Sequence, residues 1–281
     1  MEEETSITGG PPNSQYFSLI DQSEPERTHR ALKTYKINVI VATMNNPAYL
    51  TKALRSIREQ SGDLPYKLIV VADDPNMATM EVIEEYDVPP EDCVFNPTRV
   101  GCVKAMNQGF QHSKADVYVF TADDTIVTRG WLDKLASGAL TAQFVGLVSP
   151  VTNASGQGLQ QLIRCPNEDY KSIQQLGRWV SKYHQPLLAS YDPVFGMCFA
   201  IPQWTFNRIG YLDENFYMAH GEIDYGMRII RAGMMVGIRM DCFVYHKGKV
   251  SANVNPVLVE KWNKDSDYFN QKWGGKFMRY K

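Results

Sequence analysis

The sequence predicts an α/β protein organised on a mainly parallel sheet, and three observations predict it. Apolar runs of strand length, such as Ile37-Asn38-Val39-Ile40-Val41-Ala42, lack polar alternation, as expected of strands covered on both faces. Segments with apolar residues at helical spacing separate these runs. Each early strand closes on polar residues at its carboxyl end, the edge where open α/β sheets bind ligands.

Residues 1–34 hold Gly9-Gly10-Pro11-Pro12, Pro25 and the acidic cluster Glu2-Glu3-Glu4, with few apolar residues. They read as a loose arm that offers Phe17, Leu19 and Ile20 for docking. After the first strand, Asn45-Asn46-Pro47 makes a turn, and Tyr49, Leu50, Leu54 and Ile57 mark a helix that stops near Ser61-Gly62. Leu68-Ile69-Val70-Val71 is a second strand, ending in Asp73-Asp74-Pro75, and Cys93-Val94-Phe95 a third. A helix carrying Val103, Met106, Asn107 and Phe110 precedes the strand Val117-Tyr118-Val119-Phe120, which ends in Ala122-Asp123-Asp124. A further helix begins near Trp131, and Gly146-Leu147-Val148-Ser149-Pro150 reads as a strand. Residues 152–190 are polar and loop-like, with a short helix at 172–182. Residues 194–201 are strand-like, 224–231 helical up to Gly233, and 236–245 strand-like up to His246. The tail, with Trp262, Tyr268, Phe269 and Trp273, reads as a helix that packs back.

A chain of 281 residues suits one large domain with appendages. With 44% hydrophobic and 21% charged residues it is an ordinary globular composition, which excludes collagen-like, mucin-like and wholly disordered chains. The net charge of -2 disfavours general coating of polyanions. Cys93, Cys102, Cys165, Cys198 and Cys242 are odd in number and widely spaced, without a CxxC pair. Buried thiols in a reducing compartment are therefore expected, rather than a disulfide framework or a structural zinc. No apolar run reaches membrane-spanning length and no signal core follows the N-terminus, so a soluble cytoplasmic protein is expected.

Five places carry candidate chemistry. Asp73-Asp74, after an apolar strand, reads first as a turn or helix cap; the functional alternative is a nucleotide contact that accepts a uracil imide N–H or a ribose hydroxyl. Asp123-Asp124 suits a helix cap, or a divalent cation site with hard oxygen ligands bridging a diphosphate. His220, Glu222 and Asp224 lie within five residues near a helix start. They read as a capping arrangement with Asp224 as cap, or as a general base with a helper. His246 becomes a metal ligand if it meets Asp124 in space, since histidine with carboxylate suits Mn2+. Arg99 and Lys104, near Gly101 at a helix start, are candidate phosphate partners. No Walker loop, GxSxG elbow or HExxH is present, which leaves a simple P-loop NTPase, an α/β-hydrolase and a zincin without support.

The order of these pieces resembles glycosyltransferase family 2. Val39-Ile40-Val41-Ala42-Thr43-Met44-Asn45-Asn46 with Leu50, Ala53-Leu54, Ser56-Ile57 and Gln60 is similar to that family's first strand and helix. Residues 70–74 resemble its nucleotide-binding second strand. Arg99-Val100-Gly101 with Asn107-Gln108-Gly109 resembles its N-x-G…N-x-G helix, with Arg99 in place of the first Asn. Residues 120–132 resemble the metal-binding segment, Phe195-Gly196 through Gly233 the acceptor half, and His246-Lys247-Gly248 with Ser251 the closing histidine segment. The likeness spans about residues 36–251. It departs from the family at Ala122, which stands where the first DxD aspartate is usual, and at Glu222, which replaces the usual aspartate base.

The resemblance implies a GT-A type, Rossmann-like α/β/α sandwich over residues 35–251. Residues 35–130 would bind a nucleotide-sugar and 131–251 the acceptor, with 252–281 as a C-terminal helical tail. It implies inverting transfer from a nucleotide-diphosphate sugar, UDP-sugar favoured, to a hydroxyl on a glycan or other acceptor, nucleic acid included. Ala42, Thr43, Asn45, Asp73, Arg99, Gly101 and Asp123 would line the donor site. Asp124 and His246 would hold Mn2+ or Mg2+, and Glu222, with Asp224 beside it, would be the base. Residues 152–191 and the tail tryptophans are candidates for acceptor contacts or for plain packing. A pyrophosphorylase would need a Gly-rich loop where Thr43-Met44-Asn45-Asn46-Pro47 stands. A non-catalytic binder is motivated only by Ala122, and the retained Asp124, Glu222 and His246 argue against it.

Overall fold

The computed structural model describes residues 25–141, 144–155, 160, 164–184, 188–190, 193, 196–248 and 256–274. In chain order the first half runs α1 Pro25–Leu32, β1 Ile37–Thr43, α2 Pro47–Gln60, β2 Lys67–Asp73, α3 Met77–Glu85, β3 Cys93–Asn96, α4 Cys102–His112, β4 Val117–Ala122, β5 Thr125–Val127 and α5 Trp131–Thr141. The second half runs β6 Val145–Val151, α6 Tyr170–Tyr183, β7 Leu188–Ser190, β8 Cys198–Pro202, α7 Gln203–Ile209, α8 Gly221–Arg231, β9 Met235–His246 and α9 Pro256–Trp273.

Among the described residues nine strands form one sheet in the order β3-β2-β1-β4-β8-β6-β9-β5, with β7 also on β9. β1 pairs in parallel with β2 and β4, β2 with β3, and β6 with β9, while β8, β5 and β7 run antiparallel to their neighbours. The sheet is thus mainly parallel in direction, as the unalternating apolar runs predict. Successive residues of each central strand feed opposite cores. Val39, Val41, Val70, Ala72, Val117 and Val119 pack with residues of α1, α2, α3 and α5. Ile40, Ile69, Val71, Tyr118 and Phe120 pack with residues of α4, α6, α7, α8 and α9. Two helix layers around one sheet make the α/β/α sandwich.

Several elements escape the periodicity reading, among them β7, in a stretch that reads as loop. α3 follows directly on the Asp73-Asp74-Pro75 turn and is capped by Asn76, whose side chain accepts from Thr79 N–H at 2.9 Å. β5 is three residues long and exists through its antiparallel pairing with β9. α7 begins straight after β8. The expected loose arm ends earlier than residue 34, because 25–32 form α1. Leu32 is wholly buried, and His29 is held between Asp63 (2.7 Å) and Asp133, ion pairs that raise its pKa against the cost of burial. Residues 1–24 lie outside the described residues, as do Phe195 and Ser251. The predicted strand at 194–201 is described from Cys198 as β8. α8 starts at Gly221, earlier than the predicted 224. No helix among the described residues is long and apolar enough to cross a membrane.

Candidate functional site

β1, β2 and β4 end side by side, with Thr43 opposite Ala72 and Ala42 opposite Ala122 in register. The crossover from the β1-β2-β3 wing to β4 leaves a crevice at these carboxyl ends. The backbone there is unusual: Asn45, Asp74 and His220 have φ of 59°, 57° and 63°, conformations that side chains with a β-carbon adopt only when their surroundings hold them.

Hydrogen bonds supply that hold. Asn45 donates to Asp74 O (2.6 Å), and its side-chain oxygen accepts from Asn76 N–H (2.6 Å), tying the end of β1 to the turn after β2. Buried Asp73 accepts Val100 N–H at 2.8 Å and Gly101 N–H at 3.0 Å. These bonds set the loop that opens α4. Gly101 has φ 94°, and a Cβ there would lie 2.5 Å from Tyr217 O, so only glycine fits. Arg99 pairs with Asp74 at 3.2 Å, on the outer side of the same loop. Ala42, Thr43, Asp73, Gly101, Tyr217 and Leu258 are among the residues lining one cleft, so the site includes part of α9.

Asp123 turns inward. It accepts from Thr43 Oγ1 at 2.6 Å and from Asn46 Nδ2 at 3.2 Å, and burial, with Asp124 adjacent, pushes its pKa up to about 7. Asp124 turns outward to His246, with Oδ2 and Nε2 3.4 Å apart. The pairing of β5 with β9, Thr125 opposite His246, brings the two together. Gly248 N–H adds a bond to Asp124 Oδ2 at 3.2 Å. His246 Nδ1 lies 3.1 Å from Ala154 O, and Asn153 brackets the His246 backbone, accepting from N–H at 2.8 Å and donating to O at 3.0 Å. Burial works against the imidazolium, but Asp124 and the Ala154 carbonyl outweigh it and hold the pKa above the usual histidine value. Across Asp124 from the larger cleft, a second one is lined by Tyr49, Lys52, Glu168, Tyr245 and Lys247, with Lys247 paired to Glu168 at 2.6 Å. Among the described residues no three His, Cys, Asp or Glu side chains cluster as a metal cage. A cation held by Asp124 and His246 would take most of its ligands from a bound molecule and water.

Glu222 sits in the first turn of α8, nearly buried, beneath Gly196. Burial pushes its pKa up to about 7, against the lowering effect of its own and the Gly196 backbone N–H. Cys102, in the first turn of α4, marks where the acidic groups converge. Burial first, then the charges of Glu222, Asp123, Asp73 and Asp124, push its thiol far up. Asp224, the expected helper, points elsewhere. Its wholly buried carboxylate accepts from Trp273 Nε1 at 2.9 Å and meets Lys272 Nζ at 2.7 Å, with Arg228 at 3.9 Å. It joins α8 to α9 instead of assisting Glu222, and it is not the helix cap, whose place His220 takes. The tail tryptophans pack inward as well, Trp262 edge-on to His220 and Trp273 on Asp224.

Asn153, Ala154, Gly196, Tyr217 and Asp265 belong to the site's framework; the sequence marks Gly196 only as the start of the acceptor-like half and Asn153 and Ala154 only as part of the 152–191 stretch, and it does not single out Tyr217 or Asp265. Their contributions are backbone carbonyls, clearance and bonds to main-chain N–H, which leave no compositional trace.

A profile of the family described as Glycosyl transferase family 2 matches residues 38–185. The chain belongs to glycosyl transferase family 2. An uncharacterized glycosyltransferase of Bacillus subtilis (strain 168), YwdF, is 30% identical over 110 residues, which are 39% of this chain and 40% of that protein. The match thus spans well under half the length of this curated relative. Among solved structures, the mannosyltransferase PcManGT from Pyrobaculum calidifontis in complex with GDP-Man and Mn2+ superposes with a TM-score of 0.60 at 19% identity, over 86% of this chain and 65% of that one. GalNAc-T7 with UDP, GalNAc and Mn2+ gives a TM-score of 0.60 at 15% identity, over 84% and 50%. The family 2 chain therefore has the fold of these glycosyltransferases, the GT-A fold.

Proposed function

We propose that this family 2 protein is an inverting glycosyltransferase that moves a sugar from a nucleoside-diphosphate donor, UDP-sugar favoured, to an acceptor hydroxyl. The observation that carries the reading is the Asp124–His246 pair, 3.4 Å apart at the mouth of the crevice. The donor set fits a divalent cation. A hard carboxylate oxygen stands beside an imidazole whose other nitrogen faces a backbone carbonyl, a contact that fixes the ring and its tautomer as in many ligating histidines. Mn2+ accompanies the nucleotide or nucleotide-sugar in both structural relatives. The relatives' nucleotides differ, GDP in one and UDP in the other, and uridine is preferred here for Asp73, whose unused lone pairs suit an imide N–H.

When bound, the cation would offset charge on the departing diphosphate. Asp124 and His246 would hold it there. Thr43, Asp73 and the loop at Gly101 would seat the nucleoside, and Lys52 and Lys247 would add positive charge across Asp124. Glu222 would take the proton of the acceptor hydroxyl, and a pKa near 7 suits a base at neutral pH. The hydroxyl would then attack the anomeric carbon from the face opposite the diphosphate. In this division residues 35–130 serve the donor and 131–251 the acceptor, in a cytoplasmic protein.

The test is nucleotide release from a panel of UDP-, GDP- and dTDP-sugars with Mn2+, Mg2+ or EDTA, for wild type and Glu222→Gln, with binding scored by thermal shift. Metal-dependent release from one donor, lost in the variant, supports the reading. Neither binding nor release across the panel overturns it.

A further inference from the structure

The C-terminal helix α9 delivers one carboxylate into the body of the protein. Asp265 is buried and accepts three consecutive backbone N–H groups: Tyr217 at 2.9 Å, Met218 at 2.8 Å and Ala219 at 2.8 Å. Three convergent N–H donors form an anion nest, and a carboxylate that fills one makes strong charge-assisted bonds.

The segment so held has two neighbours that matter. On one side Tyr217 meets the opening of α4: its carbonyl accepts Val103 N–H at 3.3 Å, and its ring lies against Gly101. The Gly101 loop is itself fixed by Asp73 from the other direction. Tyr217 and Met218 line the larger cleft, as does Leu258 from the start of α9. On the other side the segment runs through His220, at φ 63°, into the first turn of α8 and Glu222. His220 Nε2 contacts Ser266 Oγ at 2.9 Å, one residue beyond Asp265.

We propose that Asp265 is a positioning residue of the donor site: by fixing residues 217–219 it sets the cleft wall formed by Tyr217 and Met218 and the entry to the helix that presents Glu222. The inference rests on the donor reading above, and it makes the C-terminal helix a working part of the nucleotide site rather than an appendage.

The full chain, its Asp265→Asn variant and the surface control Lys264→Ala are titrated with UDP and GDP in Mn2+ by calorimetry, with circular dichroism and thermal melting as checks of folding. Lys264 pairs with Glu260 on the exposed face of α9. Asparagine keeps the size of the side chain but sets an N–H2 against at least one of the three donors. Folded Asp265→Asn should bind the preferred nucleotide about tenfold or more weakly, the scale of one lost charge-assisted bond, with Lys264→Ala unchanged. Folded Asp265→Asn that binds within about twofold of wild type would overturn the inference and leave the donor reading standing. Wild type that binds neither nucleotide overturns both. If Asp265→Asn does not fold, amide exchange of wild type decides: Tyr217–Ala219 protection that rises with Mn2+ and nucleotide supports the inference, and unchanged protection overturns it.

Discussion

Gly196 lies directly over the side chain of Glu222: a Cβ on Gly196 would stand 2.3 Å from Glu222 Cγ. No side chain with a β-carbon fits there unless the glutamate moves. Gly196→Ala should therefore displace the carboxylate while nucleotide binding, built on other elements, is retained. A misplacement of about an ångström costs on the order of 10²-fold in rate. Turnover of the preferred donor, compared with nucleotide affinity, checks this. Equal turnover in the variant would show that the position of Glu222 does not matter.

Glu222→Gln keeps the shape of the side chain and removes the base. Turnover should fall about 10²–10⁴-fold with nucleotide affinity unchanged. In wild type, the rate should climb as pH rises through about 7, where the carboxyl ionises, and level off above it. The variant's residual rate should lack that rise. A pH–rate profile of both proteins tests the assignment.

The same buried carboxyl has a cost in stability. Its pKa in the folded protein is raised from 4.5 to about 7, so the proton binds the folded state more tightly than the unfolded one. The associated stability is fully present below about 4.5 and is lost as pH rises through about 7. Glu222→Gln, always neutral, escapes this loss. It should melt above wild type at about pH 8, by an amount worth on the order of 1–3 kcal/mol, and the advantage should shrink toward about pH 5. A melting-temperature series over pH reads it directly.

Asn153 holds His246 by both backbone groups, beside the Ala154 carbonyl that faces Nδ1. Asn153→Ala should leave the fold intact and loosen the histidine. Mn2+ should then be needed at about 10–100-fold higher concentration for full activity. Stripping wild type with EDTA should abolish turnover, with Mn2+ restoring it. An unchanged Mn2+ requirement in the variant would mean that His246 does not hold the cation.

The sheet was legible because its central strands are buried on both faces, and residues 37–42 or 117–120 admit no other burial. The elements that went unread are those whose existence depends on a distant partner. Residues 125–127 become β5 only because β9 lies alongside. The site divides in the same way. Asp124, Glu222 and His246 stand out in the sequence as candidates because their chemistry shows in the residue type and their order resembles a known family. Asp265 was invisible, since its partners are main-chain N–H groups that every sequence possesses. Asp224 was misjudged because two residues along a helix turn a side chain to a different face, here toward Lys272 and Trp273.

β9 has a consequence for the time course of folding. It pairs with β6 as far as Phe243 and with β7, its last residues close on β5, and just beyond it the bond from Gly248 N–H to Asp124 Oδ2 spans 124 positions of chain. Contacts so remote are late rewards for loop closure. During synthesis, β4 with Asp124 emerges long before the strand that carries its partner. On the proposed cation site, metal capture would report the final docking event: in refolding, Mn2+ capture should lag behind the far-UV signal of the helices.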